Sequence, residues 1–264
     1  MVATLLQLAA AAYLAAGILA GAGLALTNGR LSRVAAWTLL GAALLHGAAF
    51  SLLHTLDPPP PLTDSATALS FMAWVGTLSF LALLLRFRIA GLIALVAPLA
   101  FVSVFYAALR LEHVAPESAV ASGSVAHAHV LLSSGGMAML GLAGLAGALF
   151  LLEYRRLKGK RRLAAASAWP SLEALDRVNA LALAVGFPLL TLGVVSGALW
   201  VQADHGTPFT GSTHETWSFL AWLIYAVLTA LRFGLGQGAR RCAQNAIAGF
   251  ACAGFLVVGV ELLL

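Results

Sequence analysis

Charge is the property that this sequence has least of. Only 9% of the 264 residues are charged, whereas 61% are hydrophobic and the mean hydropathy is +0.94. A soluble domain carries about 25% charged residues, so the composition excludes the ordinary soluble class. Apolar runs of about 20 residues recur from end to end, and a run of that length crosses a hydrocarbon core of ~30 Å. The sequence therefore predicts an integral membrane protein.

Other absences narrow the function. The two cysteines, Cys242 and Cys252, form no Cys-x-x-Cys pair, which disfavours thiol redox chemistry and a cysteine-based metal site. Both lysines, Lys158 and Lys160, lie in one polar stretch, so no span offers a lysine for a retinal Schiff base. No carboxylate lies at mid-span, where proton and cation carriers usually place one. Nucleotide-binding glycine loops and nucleophile elbows are also missing, so ion transport by this chain alone and these enzymatic chemistries are disfavoured.

Eight apolar segments are predicted to cross the membrane as helices. Their approximate bounds are 3–26, 34–53, 66–85, 89–109, 125–152, 177–199, 215–233 and 243–263. The expected fold is an all-α polytopic helical bundle, and residues 1–264 are expected to form a single transmembrane domain. Small residues, as in the run at 141–149, allow such helices to approach closely.

The basic residues alternate along the chain. Of the 15 arginines and lysines, 14 lie in segments that follow odd-numbered spans, and only Arg110 lies on the other side. The positive-inside rule makes those segments cytoplasmic and places both termini outside. The formal net charge of +5 is thus explained by topology rather than by a nucleic acid partner. The expected location is the bacterial inner (plasma) membrane, with the lipid bilayer as the main partner.

The histidines have the opposite distribution. All seven lie on the predicted outer side or in the outer half of a span: His46, His54, His113, His127, His129, His205 and His214. Random placement would divide them between the two sides. An imidazole-rich outer face is therefore the first indication of function.

His46 lies deepest in the membrane. It is about seven residues, or ~10 Å at 1.5 Å per residue, below the outer end of the second span. Ala42, Ala43 and Ala49 are its neighbours at helical spacing and should leave one side of the imidazole open. An ionisable residue at this depth is a functional hypothesis by default. The alternative is a neutral histidine hydrogen-bonded to another helix.

His127 and His129 open the fifth span. Residues two apart on a helix point to nearly opposite sides, so at most one of these imidazoles faces a shared pocket. Ser133 and Gly136 follow His129 at helical spacing, and this strip of small residues suits the face of a planar ligand. His127 is expected at the membrane interface.

Two histidines on separate helices can bind haem iron axially, or a zinc or copper ion. Zinc requires further cysteine, aspartate or glutamate ligands at a similar depth, and the spans offer none there. Haem ligated by two imidazoles is therefore favoured over a closed metal cage. His54 and His113, in outer loops, are further candidates for the second ligand. Divalent-metal binding by the outer histidines is the weaker alternative.

The stretch 197–232 carries a family resemblance. Its segment HETWSFLAWLIY, at 214–225, resembles the Lys-Glu-Thr-Trp-Ser segment of the cytochrome c assembly membrane proteins, a haem-handling family with a tryptophan-rich outer loop. The preceding GALW, at 197–200, resembles the entry to that loop. The eight-span layout and the helices of His46 and His129 look most like the HemX/YpjD-type branch.

The resemblance implies a protein that binds b-type haem through His46 and His129, with Trp200, Glu215 and Trp217 contributing to the cofactor site. It also implies that the chain is not an enzyme on its own. A partner would present the apocytochrome, as in the family.

The loop departs from the family pattern. Members that deliver haem carry several tryptophans and an aspartate there, whereas this chain has no tryptophan between Trp200 and Trp217 and has Ser212 where the aspartate would fall. Tryptophans supply flat apolar faces for a porphyrin edge, so their loss weakens a haem-presenting role. The alternative function is that of a structural or regulatory membrane subunit, in tetrapyrrole regulation or as a scaffold, that keeps the fold without haem.

Overall fold

The computed structural model describes residues 1–55, 64–110, 124–159 and 169–263, together with their side chains apart from 124 and 256–263. These described residues form eight α-helices and no strand. The helices are α1 (Val2–Ala25), α2 (Gly29–Leu53), α3 (Ser65–Arg86), α4 (Ile93–Arg110), α5 (Ser124–Lys158), α6 (Leu172–His205), α7 (Thr213–Thr229) and α8 (Ala239–Leu263). A 3-10 turn (Ala90–Leu92) precedes α4, and a π-helical turn (Ala230–Gly234) follows α7. The predicted all-α bundle is confirmed.

The helices have the length and composition of membrane spans. Seven of them, α1 to α7, are long and apolar enough to cross a membrane, so the protein is a multi-pass membrane protein. The eighth predicted span coincides with α8, whose last side chains lie outside the described part. α5 and α6 have 35 and 34 residues, more than the predicted spans, because their charged ends continue the helix. The orientation of the termini stays a prediction.

The chain divides into two compact units. Unit 1 contains Met1–Ser118 and Leu152–Leu175, and unit 2 contains Ala119–Leu151 and Asp176–Leu264. Unit 1 thus holds α1 to α4 with the end of α5 and the start of α6. Unit 2 holds most of α5 and α6 with α7 and α8. The expectation of a single domain over 1–264 stays a prediction.

In unit 1, α1 packs against α2 and α4. A Cβ added at Gly17 of α1 would lie 3.1 Å from the Pro98 ring of α4, which shows how closely these helices approach. At the basic end, the Arg156 guanidinium donates two hydrogen bonds to Glu153, at 2.6 and 2.7 Å. The same guanidinium lies 4.8 Å from the ring centroid of Trp169. These contacts tie the basic end of α5 to the segment that leads into α6.

In unit 2, glycines of α5 bring two other helices into contact with it. A Cβ at Gly136 would lie 2.6 Å from the backbone nitrogen of Leu190 on α6, and one at Gly147 would lie 2.7 Å from the carbonyl oxygen of Ala243 on α8. Small residues at such crossings are the usual means of close packing between membrane helices. α6 therefore packs closely along α5, and this contact determines the surroundings of His129.

Candidate cofactor site

His129 lies near the start of α5 and is partly buried. Its Nδ1 lies 2.8 Å from the carbonyl oxygen of Gly193 on α6. A carbonyl oxygen can only accept a hydrogen bond, so Nδ1 carries the proton. In the neutral ring Nε2 then keeps its lone pair, and within the described part of the chain Nε2 makes no hydrogen bond. The contact with α6 therefore fixes the tautomer of His129 and leaves the Nε2 lone pair without a partner among the described residues.

Glycines on α6 make this contact sterically possible. A Cβ at Gly197 would lie 2.8 Å from both Cε1 and Nδ1 of His129, and a Cβ at Gly193 would lie 2.5 Å from the Ser133 hydroxyl oxygen. Any larger residue at position 197 would push the imidazole aside. The small-residue strip predicted as a face for a planar ligand is covered at Gly136, because the α6 backbone packs against it.

Trp200 lies one turn beyond Gly197 on α6, next to the same imidazole. The ring centroids of Trp200 and His129 are 5.9 Å apart with an interplanar angle of 44°. The indole nitrogen Nε1 is inaccessible to solvent, and among the described residues no acceptor receives its N–H. His129 and Trp200 thus bring a free lone pair and a free N–H donor into one neighbourhood.

The loop between α6 and α7 is organised by Glu215. Ser212 is the N-cap of α7, and its hydroxyl oxygen accepts a hydrogen bond from the Glu215 N–H at 3.3 Å. In return the Glu215 carboxylate accepts from the backbone N–H groups of Thr210 and Gly211, at 2.8 and 3.0 Å, and from the Thr210 hydroxyl at 2.7 Å. This reciprocal arrangement is a variant of the capping box. Both carboxylate oxygens of Glu215 are therefore used to hold the loop and are not free to contact a ligand.

The other aromatic and imidazole groups of α7 differ in their surroundings. Trp217 is partly exposed, one turn into the helix. His214 is exposed at the start of the helix. Trp222 stacks on Phe187 and Phe219, with centroids 6.0 and 5.6 Å apart, and its N–H donates to the Thr191 hydroxyl at 3.0 Å. Trp222 is thus a packing residue, whereas Trp200 keeps an unused donor.

His46 belongs to unit 1 and has different surroundings. It is 0% exposed. Its Nδ1 lies 3.3 Å from the Tyr13 hydroxyl, and its Nε2 lies 2.9 Å from the Ser70 hydroxyl. The ring also stacks on Phe50, with centroids 5.2 Å apart. Both ring nitrogens are therefore engaged in a buried polar cluster of α1, α2 and α3.

The prediction of an open side beside His46 is wrong. Ala42, Ala43 and Ala49 are themselves buried, at 0, 2 and 0% exposure, because α2 is enclosed by its neighbours. Tyr13 and Ser70, the partners of His46, were not predicted from the sequence. Their only signal was a hydroxyl within an apolar span.

The other histidines contribute less to a site. The Nδ1 of His54 bonds to the Phe50 carbonyl oxygen of its own helix at 2.9 Å, and the Nδ1 of His205 lies 3.4 Å from the Asp204 carboxylate. His127 is exposed at the start of α5, and His113 lies outside the described residues. Within the described ranges, no three histidines, cysteines or carboxylates come together as a metal site would require. The structure describes His46 and His129 each within its own unit, so their pairing on one iron stays a prediction.

Comparison with known proteins connects this site to a family. The sequence model of the family described as "Cytochrome C assembly protein" matches residues 62–264. The match includes His129, Trp200, Glu215 and Trp217 and leaves out His46. It covers well over half of the chain.

Individual relatives of known name point to the same family. The chain is 38% identical over 91 residues to the cytochrome c biogenesis protein CcsA of Prochlorococcus marinus (strain MIT 9303), which is 34% of this chain and 29% of that protein. It is 27% identical over 210 residues to the CcsA protein of Chlamydomonas reinhardtii, which is 77% of this chain and 58% of that one. The matches thus span less than two thirds of the relatives' length. On the extent of the family match, this chain belongs to the cytochrome c assembly protein family.

Proposed function

We propose that this protein handles haem during cytochrome c assembly and holds haem b in unit 2 with His129 as an axial ligand. The observation that carries the proposal is the hydrogen bond from Nδ1 of His129 to the Gly193 carbonyl oxygen, at 2.8 Å. Haem iron takes a neutral imidazole nitrogen as its axial ligand. A metal-bound histidine usually donates its other N–H to a carbonyl or carboxylate. The donor set around His129 therefore fits haem.

The neighbouring residues have separate roles in this proposal. Gly197 lets α6 approach the imidazole, so the ring keeps its orientation before and after binding. Trp200 and Trp217 provide aromatic surface, and Glu215 fixes the loop between the two helices that carry them. Bound haem would supply an iron centre and a tetrapyrrole cargo for an apocytochrome. The protein binds and passes on this cargo and is not an enzyme on its own.

Two candidates for the second axial ligand are compared directly, and His54 and His113 stay further candidates predicted from the sequence. His46 is the ligand predicted from the sequence, and its coordination would require it to release Ser70 or Tyr13, which now occupy its nitrogens. His214 belongs to the same unit as His129 and lies at the exposed start of α7. Substitution of each histidine separates the two candidates.

The proposed setting is the bacterial inner membrane, with a membrane partner that presents the apocytochrome. Support comes from the family and from relatives named for cytochrome c biogenesis. The alternative is a structural or regulatory subunit that keeps the fold without haem. Two observations favour it: both nitrogens of His46 are already engaged, and the loop between Trp200 and Trp217 has no tryptophan.

The test is an absorption spectrum of the detergent-purified protein, before and after haem is supplied. We expect wild type to show a Soret band with sharp reduced α and β bands, and His129→Ala to lose them. His46→Ala and His214→Ala identify the second ligand, because only the variant that lacks it will change from a low-spin to a high-spin spectrum. A wild type that stays colourless with added haem would refute the proposal and leave the structural or regulatory function.

A further inference from the structure

We propose that the indole N–H of Trp200 recognises a carboxylate of the bound haem and so orients the propionate edge of the porphyrin towards this side chain. The inference rests on the proposed function, because it names how the same site orients its ligand. Three features of the site carry it: an unused buried donor, a neighbouring imidazole prepared to bind iron, and the lack of an acceptor for the donor among the described residues.

The first feature is the donor itself. Nε1 of Trp200 has no accessible surface and no partner in the part of the chain that the structure describes. A buried donor without an acceptor loses its hydrogen bonds to water and gains nothing in return. Native proteins keep few such groups, and each one requires an explanation. A ligand that brings its own acceptor provides one.

The second feature is the position of this donor. The indole ring lies against the His129 ring, with centroids 5.9 Å apart, and His129 is the residue whose Nε2 is left free by Gly193. A ligand that binds Nε2 therefore lies close to the indole. Haem carries its hydrogen-bond acceptors at one edge, as two carboxylates, and a carboxylate accepts stronger hydrogen bonds than a neutral oxygen does.

The third feature is that acceptors on the same helix do not meet this donor. Asp204 lies one turn beyond Trp200 on α6, on the same helical face, but it does not accept a hydrogen bond from the indole nitrogen. Trp222 provides a contrast within unit 2, because its indole N–H donates to the Thr191 hydroxyl at 3.0 Å. Trp200 and Trp222 thus form a matched pair, one with a free N–H and one with a satisfied N–H. Because Nε1 is covered, the carboxylate reaches it by displacing the side chains over it.

The experiment compares haem with its dimethyl ester, in which both carboxylates are esterified, by titration into the purified full-length protein. Wild type, Trp200→Phe and the control Trp222→Phe are measured side by side. Phenylalanine keeps an aromatic ring but removes the N–H. We expect wild type to bind haem about tenfold or more tightly than the ester, the range for a hydrogen bond to a charged group. Trp200→Phe should bind the two alike, and Trp222→Phe should keep the wild-type preference.

Two results would overturn the proposal. Wild type could show no preference, or Trp200→Phe could keep the wild-type preference for haem, including the case in which lost ring packing weakens haem and ester equally. A wild type that binds neither compound would refute the proposed function, and this inference with it, and the first titration would show it.

A second measurement needs no variant. The ultraviolet Raman band that reports hydrogen bonding of the indole N–H should shift when wild type binds haem and should stay unchanged when it binds the ester. This reading keeps the proposal testable if Trp200→Phe does not fold. An unchanged band in the haem complex would overturn it.

Discussion

Two histidines in this protein are held in opposite ways. His46, in unit 1, is sealed from solvent and bonds through both nitrogens to hydroxyl groups. His129, in unit 2, is partly buried and bonds through one nitrogen to a backbone carbonyl oxygen. In the first arrangement both ring nitrogens have hydrogen-bond partners, whereas in the second Nε2 keeps a lone pair that a ligand could use. The partners of the two nitrogens, and not the depth of the ring, therefore indicate whether an imidazole within a membrane is available to a ligand.

The energetic consequences also differ. A buried histidine that joins two helices through hydroxyl groups contributes to stability, because its removal leaves those hydroxyls without partners. His129 makes its strongest hydrogen bond through one nitrogen to a backbone carbonyl oxygen, and in the proposed function its main contribution is to ligand binding. Substitutions at or beside either histidine test this difference.

The largest expected effect is that of His129→Ala on haem affinity. Loss of an outer partner of a metal ligand typically costs 10- to 100-fold in affinity, and loss of the ligand itself should cost more than about 100-fold. Haem titration measures it, and the thermal midpoint in detergent should change little. As a control, His129→Gly with added imidazole should recover the Soret band. An unchanged haem affinity in His129→Ala would remove the difference between the two histidines.

His46→Ala should lower the free energy of unfolding. It leaves the Tyr13 and Ser70 hydroxyls without their partner and creates a cavity, at a cost of about 3 kcal/mol in unfolding free energy. The measurement is the thermal midpoint in detergent, with Ser70→Ala as a milder change in the same cluster. If His46→Ala keeps its stability but loses the low-spin spectrum, His46 is the second axial ligand and the comparison fails.

Gly197→Ala tests the contact between α6 and the imidazole. The new methyl group would lie 2.8 Å from two ring atoms of His129, so the ring must move. We expect haem affinity to fall roughly tenfold, as for the loss of an outer-shell partner. Gly135→Ala is the matched control, because a Cβ there meets only Leu189, at 3.7 Å. Equal haem affinities in the two variants would show that the position of the ring does not matter.

Glu215→Ala should have the smallest effect. It removes the acceptor for two backbone N–H groups and one hydroxyl of the loop, as the loss of other helix caps does. Hydrogen exchange of the loop amides should speed up, while haem affinity should change only a few-fold. Glu215→Gln keeps an acceptor and should show an intermediate exchange rate. A complete loss of haem binding in Glu215→Ala would instead place this carboxylate in contact with the ligand.

Much of the fold could be predicted from the sequence, because long apolar runs in a chain with few charges have one physical solution, the membrane helix. The residues at which the helices end were less predictable. α5 runs on to Lys158 and α6 on to His205, because charged residues continue a helix after it leaves the apolar core. The capping box of Ser212 and Glu215 could have been predicted from the sequence, because its two residues are only three positions apart.

The surroundings of the candidate site were predictable only in part. His129 and Trp200 were predicted as site residues from their positions and their resemblance to the family, and this stays a prediction. The tautomer of His129 was not, because it depends on a carbonyl group 64 positions away in the chain. The burial of His46 depends likewise on hydroxyls from two other helices. Local sequence patterns indicate which residues carry chemistry, but packing between helices decides what they bind.

The reciprocal bonds of Ser212 and Glu215 have a consequence for substitutions in the loop. The hydrogen bonds that shape this turn begin and end within residues 210–216. Gly206, at the start of the loop, has a positive φ of 73° and is held to glycine, whereas residues 207–209 are exposed and can vary while the turn keeps its form. Tryptophans could therefore be introduced at 207–209, and the chain would gain aromatic surface beside α7 while retaining its own fold.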